Sequence, residues 1–295
     1  MPDSQDPSTA PSVALIGFGE AGSTFADAGG WESAAKAWDV DPSRKAVMEA
    51  CGVIAAANAA DALQHADIIL SLVTADQAVP AAEEYAPLMP KGAFWCDMNS
   101  VAPDTKRKAA KAVNAAGGRY LDVAVMAPVD PARLNVPLLF AGEGALDAMM
   151  LMRELGFAKT RVVGDAIGQA SAIKLCRSIM VKGLEALSAE MVLAASSAGV
   201  LDEVLASLDA SEKHISWRER ADYNLDRMLL HGRRRSAEMA ESRDMIRHLG
   251  ITPRMTENTV DWQQGLGELG IAPLPEGLEA KLAAIKAAPQ FKGDI

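Results

Sequence analysis

A glycine-rich hexapeptide directly follows a short apolar run at residues 13–16. Val13–Ile16 precedes Gly17-Phe18-Gly19-Glu20-Ala21-Gly22, and helix-forming residues come next. Closely spaced glycines between a strand and a helix permit a tight turn and leave backbone N–H groups facing an anion. Asp39, at the end of the next apolar run, is spaced to accept hydrogen bonds from ribose hydroxyls. Together these residues predict a dinucleotide-binding site formed by the whole hexapeptide and Asp39.

The acidic residue favours one of the two nicotinamide dinucleotides. A carboxylate at Asp39 accepts hydrogen bonds from the ribose of NAD and repels the additional phosphate of NADP. Ser43-Arg44-Lys45 follows closely and offers an alternative contact for that phosphate. The sequence therefore predicts NAD, with NADP left open.

Short apolar runs alternate with helix-length segments up to Gly164, which is typical of a parallel sheet with crossover helices. The expected fold is α/β, a doubly wound Rossmann sheet over residues 12–165, followed by an all-helical domain over 166–295. Residues 1–11 are rich in Pro, Ser and Asp and are predicted to be a disordered leader. We place the strands at Val13–Ile16, Ala35–Trp38, Ile68–Val73, Ala93–Asp97, Arg119–Val125, Pro137–Ala141 and Arg161–Val163.

The helical half begins with one long apolar segment, 166–197, which we expect to form a largely buried helix. Further helices are predicted at 201–208, 222–249 and 256–269, with a short one near the end of the chain. A helix that is apolar around most of its circumference needs cover on every side. This predicts a homodimer, with the site between the two domains.

Charge and cysteine content exclude several classes of function. The 295 residues carry a formal net charge of -10, which disfavours a nucleic-acid or anionic-membrane surface. The three cysteines give no disulfide framework, in keeping with a reducing cytoplasm, and the four histidines show no ligand spacing, so no metal is predicted. The expected partner is a small-molecule substrate.

Three further segments resemble the β-hydroxyacid dehydrogenase superfamily, which includes 3-hydroxyisobutyrate and 6-phosphogluconate dehydrogenases. Ile68–Thr74 is similar to a strand segment of the family, which implies that Val73 and Thr74 line the nicotinamide side. Asp97-Met98-Asn99-Ser100-Val101-Ala102-Pro103 resembles the family's Asp-x-Ser-Thr-x-x-Pro loop. The resemblance implies that Asn99 contacts cofactor and substrate and that Ser100 contacts substrate.

The segment Gly168-Gln169-Ala170-Ser171-Ala172-Ile173-Lys174 is similar to the family's Gly-x-Gly-x-x-x-Lys segment, which carries a catalytic lysine. Lys174 is therefore the predicted general acid and base, and a lone Lys on an apolar helix fits that role. Its alternative is a snorkelling Lys at a helix edge. Ser178, one turn further on, stands where the family usually has Asn and is expected to orient the substrate oxygen with Asn99.

The chain departs from the family at Asp122-Val123-Ala124-Val125-Met126-Ala127-Pro128, where relatives have Asp-x-Pro-Val-Ser-Gly-Gly. Met lacks a hydroxyl and Pro lacks an N–H, so fewer donors face an anion. We expect Val125, Met126 and Ala127 to form a more apolar substrate wall, suited to a bulkier alcohol or ketone.

The C-terminal half resembles a poorly characterised branch of the superfamily with a phosphogluconate-dehydrogenase-type domain. The likeness rests on His231-Gly232-Arg233-Arg234-Arg235-Ser236-Ala237-Glu238-Met239. Arg234 is a candidate to bind an anionic substrate. The alternative is a solvated helix face with ion pairs. Trp217, Tyr223 and Trp262 are expected to pack in the core or a dimer interface, or to wall a pocket.

These residues predict an NAD(P)-dependent dehydrogenase that acts on the CH–OH group of a small hydroxyacid or a bulkier alcohol. Two alternatives stay open: reduction of an imine on the same scaffold, and a dinucleotide-binding sensor or scaffold without turnover. Lys174 favours C–O over C=N chemistry, whereas the replacement at Met126-Ala127-Pro128 keeps the sensor open.

Overall fold

The protein is described by a computed structural model, which covers residues 11–211 and 215–289. The predicted leader, apart from its last residue, lies outside these ranges. The chain forms two compact units, Met1–Ile179 and Met180–Ile295. The predicted domain division after residue 165 stays a prediction.

The first unit alternates strands and helices. Its elements are β1 (Val13–Ile16), α1 (Glu20–Gly29), β2 (Ala35–Trp38), α2 (Arg44–Ala50), β3 (Ile54–Ala55), α3 (Ala59–Leu63), β4 (Ile68–Ser71), α4 (Ala78–Tyr85), β5 (Phe94–Asp97), α5 (Pro103–Ala115), β6 (Arg119–Val125), α6 (Val129–Ala132), β7 (Leu138–Ala141), α7 (Ala145–Glu154) and β8 (Thr160–Gly164). The strands form one sheet in the order β3-β2-β1-β4-β5-β6-β7-β8. The α/β Rossmann prediction is confirmed.

Two details of the sheet differ from the sequence-based expectation. β7 pairs antiparallel with β6, so the sheet is mostly rather than wholly parallel. β3 was not predicted, because a strand of two residues is too short to show a periodic pattern. A buried apolar run such as Leu138–Ala141 carries no information on strand direction.

Both faces of the sheet are covered, as alternate residues of β1 show. Val13 and Leu15 belong to one buried apolar cluster, and Ala14 and Ile16 belong to another on the opposite face. Because successive side chains of a strand point to opposite sides, a strand in such a sheet is apolar throughout. This pattern leaves the strand ends as the places where polar side chains gather.

The second unit is helical among the described residues. Its elements are the end of α8 (Gln169–Ser197), then α9 (Leu201–Ser211), α10 (Trp217–His248), α11 (Arg254–Glu268) and α12 (Leu278–Ala287). Leu229 of α10, Leu266 of α11 and Ile285 of α12 form its small buried apolar cluster together with Leu269 and Ala288.

Close helix packing in this unit depends on two glycines. A Cβ atom on Gly232 would lie 2.2 Å from the carbonyl oxygen of Gln263, and a Cβ on Gly267 would lie 2.5 Å from the backbone nitrogen of Arg233. The backbones of α10 and α11 therefore touch at this crossing. The glycine in the His231-Gly232-Arg233 segment has a packing role that the sequence did not reveal.

The prediction that α8 is largely buried is wrong for the single chain. Large apolar side chains along it are substantially exposed, among them Leu184, Leu187 and Leu193. Trp217, Tyr223 and Trp262 are also half exposed or more, so they do not pack in the core of the single chain. In a single chain, much of the apolar surface of these helices is therefore exposed to solvent. Over the described ranges, no helix is long and apolar enough to cross a membrane.

Candidate functional site

The turn after β1 forms one wall of a cavity. Gly17 has a φ of 91°, and a Cβ atom there would lie 2.7 Å from the carbonyl oxygen of Leu72. Gly22 is similarly close to the carbonyl oxygen of Gly17, so the helix begins tightly against the turn. A Cβ on Gly19, in contrast, would meet nothing within 4 Å. The open space above Gly19 suits a ligand that approaches the backbone.

α1 begins at Glu20 with Gly19 as its N-cap, and no side chain caps it. Its first N–H groups, which include those of Glu20, Ala21 and Gly22, have no partner within a helix. Such a helix end attracts the negative charge of a pyrophosphate. The geometry of this turn fits the phosphates of a dinucleotide, whereas the Phe18 side chain is fully buried in the core below.

Asp39 stands at the other end of this cavity. Its carboxylate accepts hydrogen bonds from the Phe18 backbone N–H at 2.6 Å and the Asp41 backbone N–H at 2.9 Å. A carboxylate offers about four lone-pair sites, so it retains capacity for two ribose hydroxyls. The cavity measures about 310 Å³, and its lining includes Gly17, Gly19, Asp39, Arg44, Val73 and Thr74.

The predicted catalytic lysine lies at a second, narrow cleft, which has no room for a water molecule between its described residues. The Lys174 ammonium, which is partly buried, donates a hydrogen bond to Ser100 Oγ. Asn99, Ser100, Val123, Ala124, Ser171, Lys174 and Leu175 are among the residues that line this cleft. The structure therefore brings the β5 loop, the end of β6 and the start of α8 together around Lys174.

The other predicted substrate residues lie at different distances from this cleft. Met126 packs against the buried cluster of Ala124 and Ala170, beside the start of α8. Val125 and Ala127 flank it on the chain. Ser178 is half buried one turn beyond Lys174 and is not among the residues that line the cleft. Arg234 is exposed on α10 in the second unit.

Asn99 is almost fully buried, and its amide orientation is determined by its neighbours. Its Nδ2 donates to Asp97 Oδ1 at 2.8 Å and to Ser71 Oγ at 3.1 Å. A carboxylate only accepts, so the amide nitrogen must face Asp97. Asn99 Oδ1 accepts no hydrogen bond from the described residues. Asn99 Oδ1 is thus a buried acceptor without a partner among the described residues, and the amide nitrogen has no hydrogen left to donate.

A row of buried polar residues underlies the cleft and was not predicted. Ser71 and Asp97, the last residues of β4 and β5, are aligned in register with Asp122 in the middle of β6, and each is fully buried. Lys106 of α5 is equally buried and forms ion pairs with Asp97 at 2.9 Å and Asp122 at 3.5 Å. The available signal was the position of Lys106 on the apolar face of α5, in helical spacing with Ala109, Ala110 and Val113.

Tyr120 belongs to the same network. Its hydroxyl donates to Asp97 Oδ2 at 2.6 Å. Burial, followed by the negative charge of Asp97, raises the pKa of Tyr120 far above its ordinary value. The phenol therefore remains a neutral donor at all physiological pH values.

The remaining titratable groups do not assemble into a metal site. Over residues 11–211 and 215–289, no group of three or more His, Cys, Asp and Glu side chains could hold an ion. The three cysteines are free, and burial raises the pKa of the Cys96 thiol well above its usual range.

Comparisons with known proteins agree with this geometry. Residues 12–150 match the NAD binding domain of 6-phosphogluconate dehydrogenase, and residues 195–266 match a domain of unknown function, DUF1932. The cofactor of the first unit is thus NAD or NADP. The glycine turn, the acidic residue and the helical second unit define a Rossmann-type dinucleotide-binding protein.

Solved structures extend the likeness over nearly the whole chain. A conserved hypothetical protein from Sinorhizobium meliloti 1021 is 34% identical, with 93% of each chain covered and a TM-score of 0.61. A conserved protein of unknown function, described as structurally similar to 3-hydroxyacid dehydrogenases, is 28% identical over 87% of this chain and 96% of its own, with a TM-score of 0.58. The chain belongs to the β-hydroxyacid dehydrogenase superfamily.

The fold also occurs in imine reductases. One from Myxococcus stipitatus, solved in complex with NAD+, has a TM-score of 0.72 and covers 93% of this chain and 99% of its own. At 19% identity this similarity concerns the fold alone.

Proposed function

We propose that this protein is an NAD(P)-dependent oxidoreductase that interconverts an alcohol and its carbonyl compound, with Lys174 as the proton carrier. The observation that carries the proposal is the contact of the Lys174 ammonium with Ser100 in the cleft at the carboxyl end of β5. In open α/β sheets, ligands bind at the carboxyl ends of the strands. The dinucleotide cavity, lined by Val73 and Thr74 after β4, lies at the same edge.

The chain's own residues would handle orientation and the proton. In the oxidising direction, the neutral amine of Lys174 takes the hydroxyl proton of the substrate as its C–H bond breaks. NAD(P), when bound, supplies the hydride acceptor. In the reducing direction the Lys174 ammonium returns a proton to the carbonyl oxygen. Each direction moves one hydride and one proton, so charge and atoms balance.

The hydrogen bonds of Asn99 narrow the chemical class of the expected substrate. Both Nδ2 hydrogens are engaged by Asp97 and Ser71, so the buried Oδ1 is the one atom of the Asn99 amide that lacks a hydrogen-bond partner among the described residues. It would accept a hydrogen bond from an O–H or N–H group and would not hold a carboxylate. Val123 and Ala124 line the cleft, with Met126 close behind. This environment supports a substrate with an apolar body beside its hydroxyl, with Val125 and Ala127 as further contacts; the roles of Ser178 and Arg234 stay predictions.

We propose NAD as the preferred dinucleotide. Asp39 faces the cavity, and Asp41 approaches Arg44 at 3.8 Å. Hydrogen bonds from Ser43, above all from its side chain, lower the pKa of Asp41, so this second carboxylate is also charged at neutral pH. Both charges oppose a 2′-phosphate, and Asp41 competes for the guanidinium that would bind it.

We also propose that the working form is a homodimer. Exposed apolar side chains on α8, α10 and α11 include Leu193, Trp217 and Trp262. Exposed apolar surface in such quantity marks an interaction site. The long apolar helix is best covered by its own copy, since symmetric association is the usual form of soluble oligomers.

The test is a turnover screen with wild type, Lys174→Ala and a control, Lys159→Ala, which changes an exposed lysine. NAD and NADP are each offered with hydroxyacids, bulkier alcohols and cyclic imines, while reduced nicotinamide is followed by absorbance. We expect oxidation of an alcohol with NAD, lowered by about 100- to 10,000-fold in Lys174→Ala and unchanged in the control. Undiminished turnover in Lys174→Ala would contradict the mechanism, and dinucleotide binding without any turnover would favour the sensor.

A further inference from the structure

Three charged side chains lie out of contact with water beneath the cleft. Asp97, Lys106 and Asp122 each have no exposed surface. Lys106 Nζ donates to the Asp97 backbone carbonyl and to Asp97 Oδ1 at 2.9 Å, and it stands 3.5 Å from Asp122 Oδ1. Removing such groups from water costs free energy that an apolar trio would not incur. Because of this cost, stability alone does not explain why three charged groups are buried here.

The first carboxylate holds the loop after β5. Asp97 Oδ1 accepts from the backbone N–H of Asn99 at 2.9 Å and from its Nδ2, while Asp97 Oδ2 accepts from Tyr120. These bonds determine where the Asn99 amide places its nitrogen and its oxygen. They also fix the backbone that leads directly into Ser100.

The second carboxylate holds the start of α8. Asp122 Oδ2 accepts from the backbone N–H groups of Gly168 at 3.1 Å and Ser171 at 3.0 Å, and from Ser171 Oγ at 3.0 Å. A carboxylate in this position stabilises a helix N-terminus. Lys174 follows Ser171 by three residues, so this anchor sets the first turn of the helix that carries it.

Over residues 11–211 and 215–289, Lys106 is the one side chain that forms ion pairs with both carboxylates. Without its positive charge, Asp97 and Asp122 would repel each other on adjacent strands. We propose that Lys106 is a positioning residue for the reaction: it clamps the β5 loop to the start of α8, and thereby keeps Ser100 in contact with Lys174. The inference rests on the proposed role of Lys174, and Lys106 itself touches neither substrate nor cofactor.

The first test compares kinetics in Lys106→Met with those in Lys111→Met, a change of an exposed lysine on the same helix. We expect kcat to fall by about 10- to 100-fold in Lys106→Met, the effect of a small displacement of reacting groups. The KM for NAD should change less than kcat, because Asp97, Lys106 and Asp122 do not line the dinucleotide cavity. Lys111→Met should match wild type in both constants.

A second test does not need turnover. Trace acetylation with acetic anhydride, read by peptide mass spectrometry, gives the reactivity of Lys174 relative to Lys159 in the same molecule. We expect this ratio to change by roughly two- to thirtyfold in Lys106→Met. If wild type turns over no substrate, the proposed function fails, but this ratio still decides whether Lys106 positions Lys174.

Tyr120→Phe covers the case in which Lys106→Met does not fold. It removes one hydrogen bond to Asp97 and leaves all three charges in place. The clamp predicts a smaller change in the same direction in both kcat and the labelling ratio. The decisive variant is Lys106→Met if it folds, and Tyr120→Phe if it does not. If that variant keeps the wild-type kcat and the wild-type labelling ratio of Lys174, the cluster serves stability alone.

Discussion

The two units solve the burial of apolar surface in different ways. In the first, the sheet is covered on both faces, and Leu15, Ile16 and Phe140 have no exposed surface. In the second, the buried cluster is small, and Leu193 of α8 is 57% exposed. The first unit buries its apolar core within one chain, whereas the second leaves large apolar side chains exposed. Substitutions in the two units should therefore have separable effects.

The largest expected effect concerns the crossing of α10 and α11. Gly232→Ala places a Cβ atom 2.2 Å from a backbone oxygen, so the helices must separate. We expect the free energy of unfolding to fall by about 3 kcal/mol, measured by thermal denaturation. Gly183→Ala is the matched control, since its Cβ would meet nothing within 4 Å, and it should be neutral or slightly stabilising. Equal losses of stability in both variants would contradict close backbone packing of α10 and α11 at Gly232.

Assembly is tested by one charge in each unit. Leu193→Glu should raise the dissociation constant of the proposed dimer by about 30-fold, roughly 2 kcal/mol, because it would place a charge in the proposed interface. Leu146→Glu is the control, since Leu146 in the first unit is 60% exposed. Sedimentation velocity over a concentration series distinguishes them. A monomeric wild type, or equal effects of both variants, would argue against the proposed dimer.

Cofactor binding is tested at a glycine that has room for a methyl group. Gly19→Ala should fold normally, because its Cβ has no neighbour within 4 Å, but the methyl would occupy the space where the backbone meets the pyrophosphate. NADH affinity should fall by about tenfold, roughly 1.4 kcal/mol, in a fluorescence titration. An unaltered affinity for NADH would show that the phosphates do not bind against the backbone of Gly19.

The smallest effect is a pH dependence in the second unit. Burial alone would raise the pKa of Glu190, but hydrogen bonds from the Thr256 hydroxyl and the backbone N–H groups of Met255 and Thr256 outweigh it and hold the pKa below its ordinary value of 4.5. The charged form thus stabilises the fold above pH 4.5, and this contribution is lost as the pH falls through the lower folded value.

Glu190→Gln should remove that dependence. We expect a loss of about 1 kcal/mol at neutral pH and a flatter stability profile in the acid range, measured by chemical denaturation at a series of pH values. A profile parallel to that of wild type below pH 4.5 would assign the acid sensitivity to other carboxyl groups.

The sequence predicted what depends on local chemistry. The glycine turn after Val13–Ile16 and the loop at Asn99 and Ser100 are each encoded within a few residues. The role of Lys106 was not predicted, because its two partners, Asp97 and Asp122, lie on the neighbouring strands β5 and β6. Only the folded sheet brings the three charges together. The direction of β7 and the exposure of α8 are likewise properties of the assembled chain.

Chemical rescue tests whether Lys174 carries the proton. Lys174→Ala is assayed with saturating NAD and substrate at increasing concentrations of methylamine and other primary amines. We expect turnover to return in proportion to the free amine concentration and to vary with the basicity of the amine, as general base catalysis requires. A variant that still binds NAD but gains no activity from any amine would contradict it.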